Sequence, residues 1–73
     1  VSKFQIGDWV LITSNRKSGI YKDCIGKLMQ VVLISKIRQT YLYDLKHKYD
    51  KIAYGCAYEE ELAEPTELIK ALM

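Results

Sequence analysis

Few groups in this chain are able to do covalent chemistry. Cys24 and Cys56 are the thiols and His47 is the only histidine. A thiol–imidazole nucleophile needs one of those cysteines beside His47 and a carboxylate to orient the ring, and no spacing in the sequence predicts that meeting. A structural zinc ion needs four ligands, and His47 has no C-x-x-C companion. Glu59, Glu60, Glu61 and Glu64 form a carboxylate cluster, but adjacent glutamates after a strand solubilise an end more often than they perform acid–base work. Gly7, Gly19, Gly26 and Gly55 are isolated, so a glycine-rich phosphate loop is absent and each glycine reads as a turn or bulge. The inventory therefore points away from an enzyme: no catalytic residue, no metal, no cofactor and no small-molecule substrate are expected.

Binding chemistry is better represented. Six Tyr and one Trp in 73 residues exceed what one small core holds. Residues 1–51 carry ten of the eleven Lys and Arg against four acids, whereas residues 52–73 carry one base and five acids. This dipole predicts that the acidic end folds back and pairs with basic loops, the alternative being a basic binding face. Tyr41, Tyr43, Tyr49 and Tyr54 interleave with Lys46, Lys48 and Lys51, a mixture suited to base stacking beside phosphates or to an acidic peptide. With a net charge of +2, the basic excess is small for a nucleic-acid protein.

The elements that must position these residues are short strands. Residues 8–13, D-W-V-L-I-T, are β-branched and apolar between turn signals, and alternation turns Val10 and Ile12 inward and Trp9 and Leu11 outward. Residues 15–23 are polar and form a long loop. Residues 27–35 are the most apolar stretch, with both faces largely apolar, as in a strand that bends and serves two sheets. Residues 40–45 follow across a hairpin, residues 46–51 form a basic loop, and residues 52–58 alternate large with small side chains. Ala53, Gly55 and Ala57 then share a face that another backbone can approach. After Pro65, Thr66 caps a short helix over residues 66–73 that is either packed on the barrel, its apolar stripe covering Trp9 and Leu11, or frayed, leaving that patch to a partner. The expected core is Val10, Ile12, Ile25, Leu28, Val32, Ile34, Leu42 and Leu62. Cys24 and Cys56 stay reduced and behave as small hydrophobes.

The resulting fold class is all-β: a small barrel of about five short strands over residues 1–65, with the short helix at 66–73. Phe4-x-Ile6-Gly7-Asp8-x-Val10-x-Ile12, Ile25-Gly26-Lys27-Leu28, Tyr41-Leu42-Tyr43-Asp44-Leu45 and Tyr58-Glu59-Glu60-Glu61-Leu62 together resemble the small Src-homology-3-like barrels. That group includes the KOW-type modules of transcription and ribosomal proteins and the barrel subunits of photosynthetic and ferredoxin-linked complexes. The resemblance implies that Gly26 starts the second strand and Leu62 closes the core.

Residues 1–7 hold no signal-peptide-like apolar run, and the longest apolar run, residues 31–34, is too short to span a bilayer, so a cytoplasmic protein with no membrane contact is expected. A core this small leaves about 3–5 kcal/mol of net stability, which makes exposed apolar surface a natural partner or self-association contact. The leading expectation is a non-enzymatic module that binds another protein, as adaptor, regulator or accessory subunit, through Trp9, Leu11, Tyr41, Tyr43 and Tyr54. The alternative is a KOW-like protein binding RNA or single-stranded DNA through Arg16, Lys17, Lys46, Lys48, Tyr49 and Lys51.

Overall fold

The alternation in Trp9-Val10-Leu11-Ile12 becomes the first strand, β1 (Trp9–Ile12), with Val10 and Ile12 buried and Trp9 and Leu11 half-buried on the opposite face. A computed structural model describes residues 1–66 of the chain, so the helix expected over 66–73 lies outside the described residues apart from Thr66. The remaining strands are β2 (Leu28–Ile37), β3 (Thr40–Lys46), β4 (Gly55–Tyr58) and β5 (Leu62–Ala63). All pair antiparallel in one five-stranded sheet, in the order β4-β3-β2-β1-β5. Two 3-10 turns, Lys22–Cys24 and Glu59–Glu61, complete the described elements. No helix among the described residues is long and apolar enough to cross a membrane.

The register decides which apolar residues enter the core. Val10 opposes Met29 and Leu11 opposes Leu28, so Met29 turns inward and Leu28 outward. Further along, Val31 opposes Leu45 while Ile34 opposes Tyr43, so β2 spends one residue more than β3 over the same span. This bulge lets Val31 and Ile34 both face the core although they are three apart, and leaves Leu33 51% exposed. The broken alternation corresponds to this bulge, but β2 stays in one sheet and does not serve two, and its inward residues in the first half are Met29 and Val31 in place of the expected Leu28 and Val32.

Three of the eight expected core residues, Val10, Ile12 and Leu62, are buried, and Ile34 packs against them partly buried. Leu28, Val32 and Leu42 are only half-buried, and Ile25 is exposed. At Ile25 the preceding 3-10 turn directs Cys24 inward instead. At Leu42 the strand turns Tyr43 and Leu45 inward, because the Tyr43 hydroxyl finds partners there. It donates to Glu59 Oε1 at 2.7 Å and accepts from the Phe4 N–H at 3.3 Å. Phe4 is itself fully buried and meets the Tyr43 ring edge-on, with centroids 5.6 Å apart.

The small residues near β4 admit a side chain instead of a backbone. A Cβ at Gly55 would meet Ile20 Cγ1 at 3.1 Å, so Gly55 makes room for the loop that crosses it. Gly26 holds φ 83°, a left-handed conformation that glycine adopts freely, and donates to the Ile12 carbonyl at 2.8 Å as the chain turns into β2.

The register is tested by two neighbours on β3. Leu45→Ala should cost about 2–5 kcal/mol in urea unfolding, and Leu42→Ala less than about 2 kcal/mol. Equal losses would place Leu42 in the core and overturn the assignment.

Candidate functional site

The glutamate run, expected to be a solvated end, is instead where distant segments are joined. Glu61 is 2% exposed. Its Oε2 accepts the backbone N–H groups of Lys17 (2.9 Å) and Ser18 (3.4 Å), and its Oε1 accepts that of Tyr58 (3.1 Å). Its carbonyl accepts both the N–H and the hydroxyl of Thr13, each at 2.9 Å. Burial pushes this carboxyl up, but hydrogen bonds from Ser18, Lys17 and Tyr58 outweigh it and hold the group below its ordinary value.

Glu59 and Glu60 point elsewhere. Glu59 Oε1 accepts the Lys3 N–H at 2.6 Å as well as the Tyr43 hydroxyl, which fixes the N-terminal segment over the core. Burial and the Glu59 carboxylate together raise the Tyr43 phenol above its usual value. Glu60 Oε1 lies 2.6 Å from Lys17 Nζ, and Glu60 Oε2 accepts the Thr40 hydroxyl at 3.0 Å. Lys17 lowers Glu60 and Glu60 raises Lys17, as an ion pair must. This is one pairing of the acidic end with a basic loop of the kind that the charge asymmetry predicts.

These attachments frame a depression of about 490 Å³ lined by Lys17, Ile37, Arg38, Thr40, Tyr58 and Glu60. The lining comes from the loop held by Glu61 (Lys17), the end of β4 and the turn after it (Tyr58, Glu60) and the β2–β3 hairpin (Ile37, Arg38, Thr40). That hairpin turns through Arg38 and Gln39 alone, since Ile37 pairs with Thr40. Arg38 has φ 57°, the only left-handed conformation at a non-glycine among the described residues. An L-residue there costs about 1–2 kcal/mol, which Gly avoids and Asn reduces. Arg38 makes no ion pair among the described residues.

The residues expected to bind a partner do not form one surface. Trp9 and Leu11 share the outer face of the sheet with Leu28 and Ala63. Tyr41 lies on the core face of β3, half-buried, with Lys36 Nζ 5.9 Å from its ring centre. Tyr43 is fully buried and serves the core, because its hydroxyl is satisfied inside. Tyr54 is partly exposed, its ring 5.3 Å from Tyr21 and 4.5 Å from His47.

The expected nucleic-acid set also divides. Lys46, Lys48, Tyr49 and Lys51 share one stretch, where Lys46 Nζ donates to the Asp50 carbonyl at 2.9 Å and Lys48 sits 5.3 Å from the Tyr49 ring centre. Arg16 and Lys17 belong to the other loop, and Lys17 is held by Glu60. Both cysteines carry free thiols, Cys24 buried and Cys56 half-buried. Burial first, then nearby acids, push both thiols up, so little thiolate forms at neutral pH. No group of three or more His, Cys, Asp or Glu suited to a metal ion occurs among the described residues.

Sequence reasoning missed Ile37, Arg38, Thr40, Tyr58 and Glu60 as a set. One local signal was present: residues 36–39, read as the hairpin connection, hold no Gly, Asn or Asp, although the two-residue length of the turn comes only from the register. Comparison with known proteins finds no matching family model, no similar curated protein and no similar solved structure.

Glu61→Gln should cost about 1.5–3 kcal/mol at neutral pH through loss of charge-assisted bonds. The folded carboxyl lies below its unfolded value, so its contribution is present above about pH 4.3 and is lost as pH falls through the folded value. Urea midpoints from neutral to acid pH should therefore fall less steeply in the variant. An identical slope would show that Glu61 carries no such linkage.

Proposed function

We propose that this chain is a non-enzymatic protein-interaction module, serving as adaptor, regulator or accessory subunit, whose five strands curl into a small Src-homology-3-like barrel. The return of β5 to lie beside β1 and the bulge that bends β2 support the barrel reading. The contact surface is the groove between Lys17 and Arg38. The observation that carries this assignment is the strained Arg38: the turn bears a conformational cost to keep a long cationic side chain at the edge of a concave surface. The groove is also pre-organised, since Glu60 and Glu61 fix the opposite wall before any partner arrives, which lowers the ordering cost of binding.

Peptides selected from a random display library should shift the amide resonances of Ile37, Arg38, Thr40 and Tyr58 on titration. Shifts confined to the Trp9–Leu11 face or to the 46–54 loop would overturn the groove as the site.

A second reading, single-stranded nucleic acid, is favoured by one observation. Tyr49 is 87% exposed beside Lys48, and Tyr21, Tyr54 and His47 bring their rings together. Such rings suit base stacking next to cations. If Lys46, Lys48 and Lys51 each meet a phosphate, binding of a labelled oligonucleotide should fall with salt at a log–log slope of about −2, and their triple replacement by Ser should abolish it. Salt-independent binding, or none at low salt, removes this reading.

A further inference from the structure

We propose that the groove takes a peptide segment in which a single carboxylate, from Asp or Glu, lies next to an apolar side chain. This rests on the groove being the contact surface and adds the chemistry of its occupant. The charges of the lining decide the sign. Lys17 Nζ is 2.6 Å from Glu60, and the other Glu60 oxygen accepts the Thr40 hydroxyl at 3.0 Å. Those two charges compensate one another, so the uncompensated charge of the lining is the Arg38 guanidinium, with no ion pair among the described residues. A guanidinium presents a planar fork of donors that matches a carboxylate with two parallel hydrogen bonds.

The apolar part of the occupant follows from the neighbours of that fork. Ile37, one residue before Arg38, is 39% exposed, and Tyr58 offers a half-buried ring across the depression. One cation beside one aliphatic and one aromatic side chain fits one acid beside one apolar residue. A polynucleotide strand needs a row of cations, which this lining lacks. A doubly charged phosphorylated side chain meets the Glu60 carboxylate next to Lys17 and is disfavoured. A basic segment faces Arg38 and finds Glu60 already engaged.

The test uses the whole chain and short peptide libraries that differ at one fixed position, which is Asp or Glu, Asn or Gln, phosphoserine, or Lys. The readouts are affinity and the side-chain Nε–Hε resonance of Arg38. Acid libraries should bind about tenfold tighter than amide libraries, as expected for a charged bidentate contact, and the advantage should shrink as salt rises from about 50 mM to about 500 mM. Arg38→Gly relieves the turn and so keeps the fold, yet should bring acid binding down to the amide level. Arg38→Glu should reverse the preference toward Lys. Acid and amide libraries that bind equally at the groove would overturn the charge assignment and leave the interaction reading standing. Tighter binding of phosphoserine would overturn the single-carboxylate assignment. Libraries that leave every groove resonance unmoved would overturn both.

Discussion

The Glu61 carboxylate is the interaction on which the rest of this small structure depends. A buried carboxylate is costly unless its oxygens are fully hydrogen-bonded. Here three backbone N–H groups, from Lys17, Ser18 and Tyr58, satisfy it. Those donors lie on segments far apart in the chain, so the cost is offset only when the loop after β1 and the end of β4 are both in place. Thr13, bonded to the Glu61 carbonyl, brings the end of β1 into the same unit. The free cysteines supply no cross-link. A satisfied buried polar contact of this kind specifies one arrangement of segments that apolar packing alone would leave loosely defined.

The neighbours of Glu61 extend the same device in two directions. A 3-10 turn advances about a third of a revolution per residue, so consecutive side chains diverge. Glu59 reaches the N-terminal segment and Tyr43, Glu60 reaches Lys17 and Thr40, and Glu61 reaches the loop behind them. The groove is a consequence of this divergence. Lys17 is fixed at its backbone by Glu61 and at its ammonium by Glu60, so its position is set by the same turn that links β4 to β5 in the chain.

The sequence showed β1 clearly because Val10 and Ile12 are its inward residues and the flanking Gly7-Asp8 and Ser14-Asn15 mark its ends. The all-β class, and strands near the expected positions, followed from the same kind of signal. The inward face of β2 was hidden for a physical reason: Leu28, Val32 and Ile34 compete with Met29, Val31 and Leu33, and the bulge switches the winning set partway along. Tyr43 was hidden because a phenol reads as surface until its hydroxyl is seen to have internal partners. Glu61 was hidden for the same reason in stronger form, since a third consecutive glutamate looks solvated. Of the groove, only the unusual hairpin was local enough to read. Its other residues meet through pairings that span from Lys17 to Glu60.

The contrast between Glu61 and Arg38 separates what holds this fold from what the fold displays. Every polar atom of the buried Glu61 carboxylate is answered from within the chain, and no described side chain buries a polar atom without a hydrogen bond. That pattern is what stability alone would select. Arg38 departs from it in its backbone alone, with a conformation that glycine would adopt at lower cost, while its exposed guanidinium is hydrated like the other described cations outside the Lys17–Glu60 pair. Among the described residues no ion pair of Arg38 offsets that strain. On the interaction reading proposed for the chain, a group seated in the open depression beside Arg38 would offset that cost.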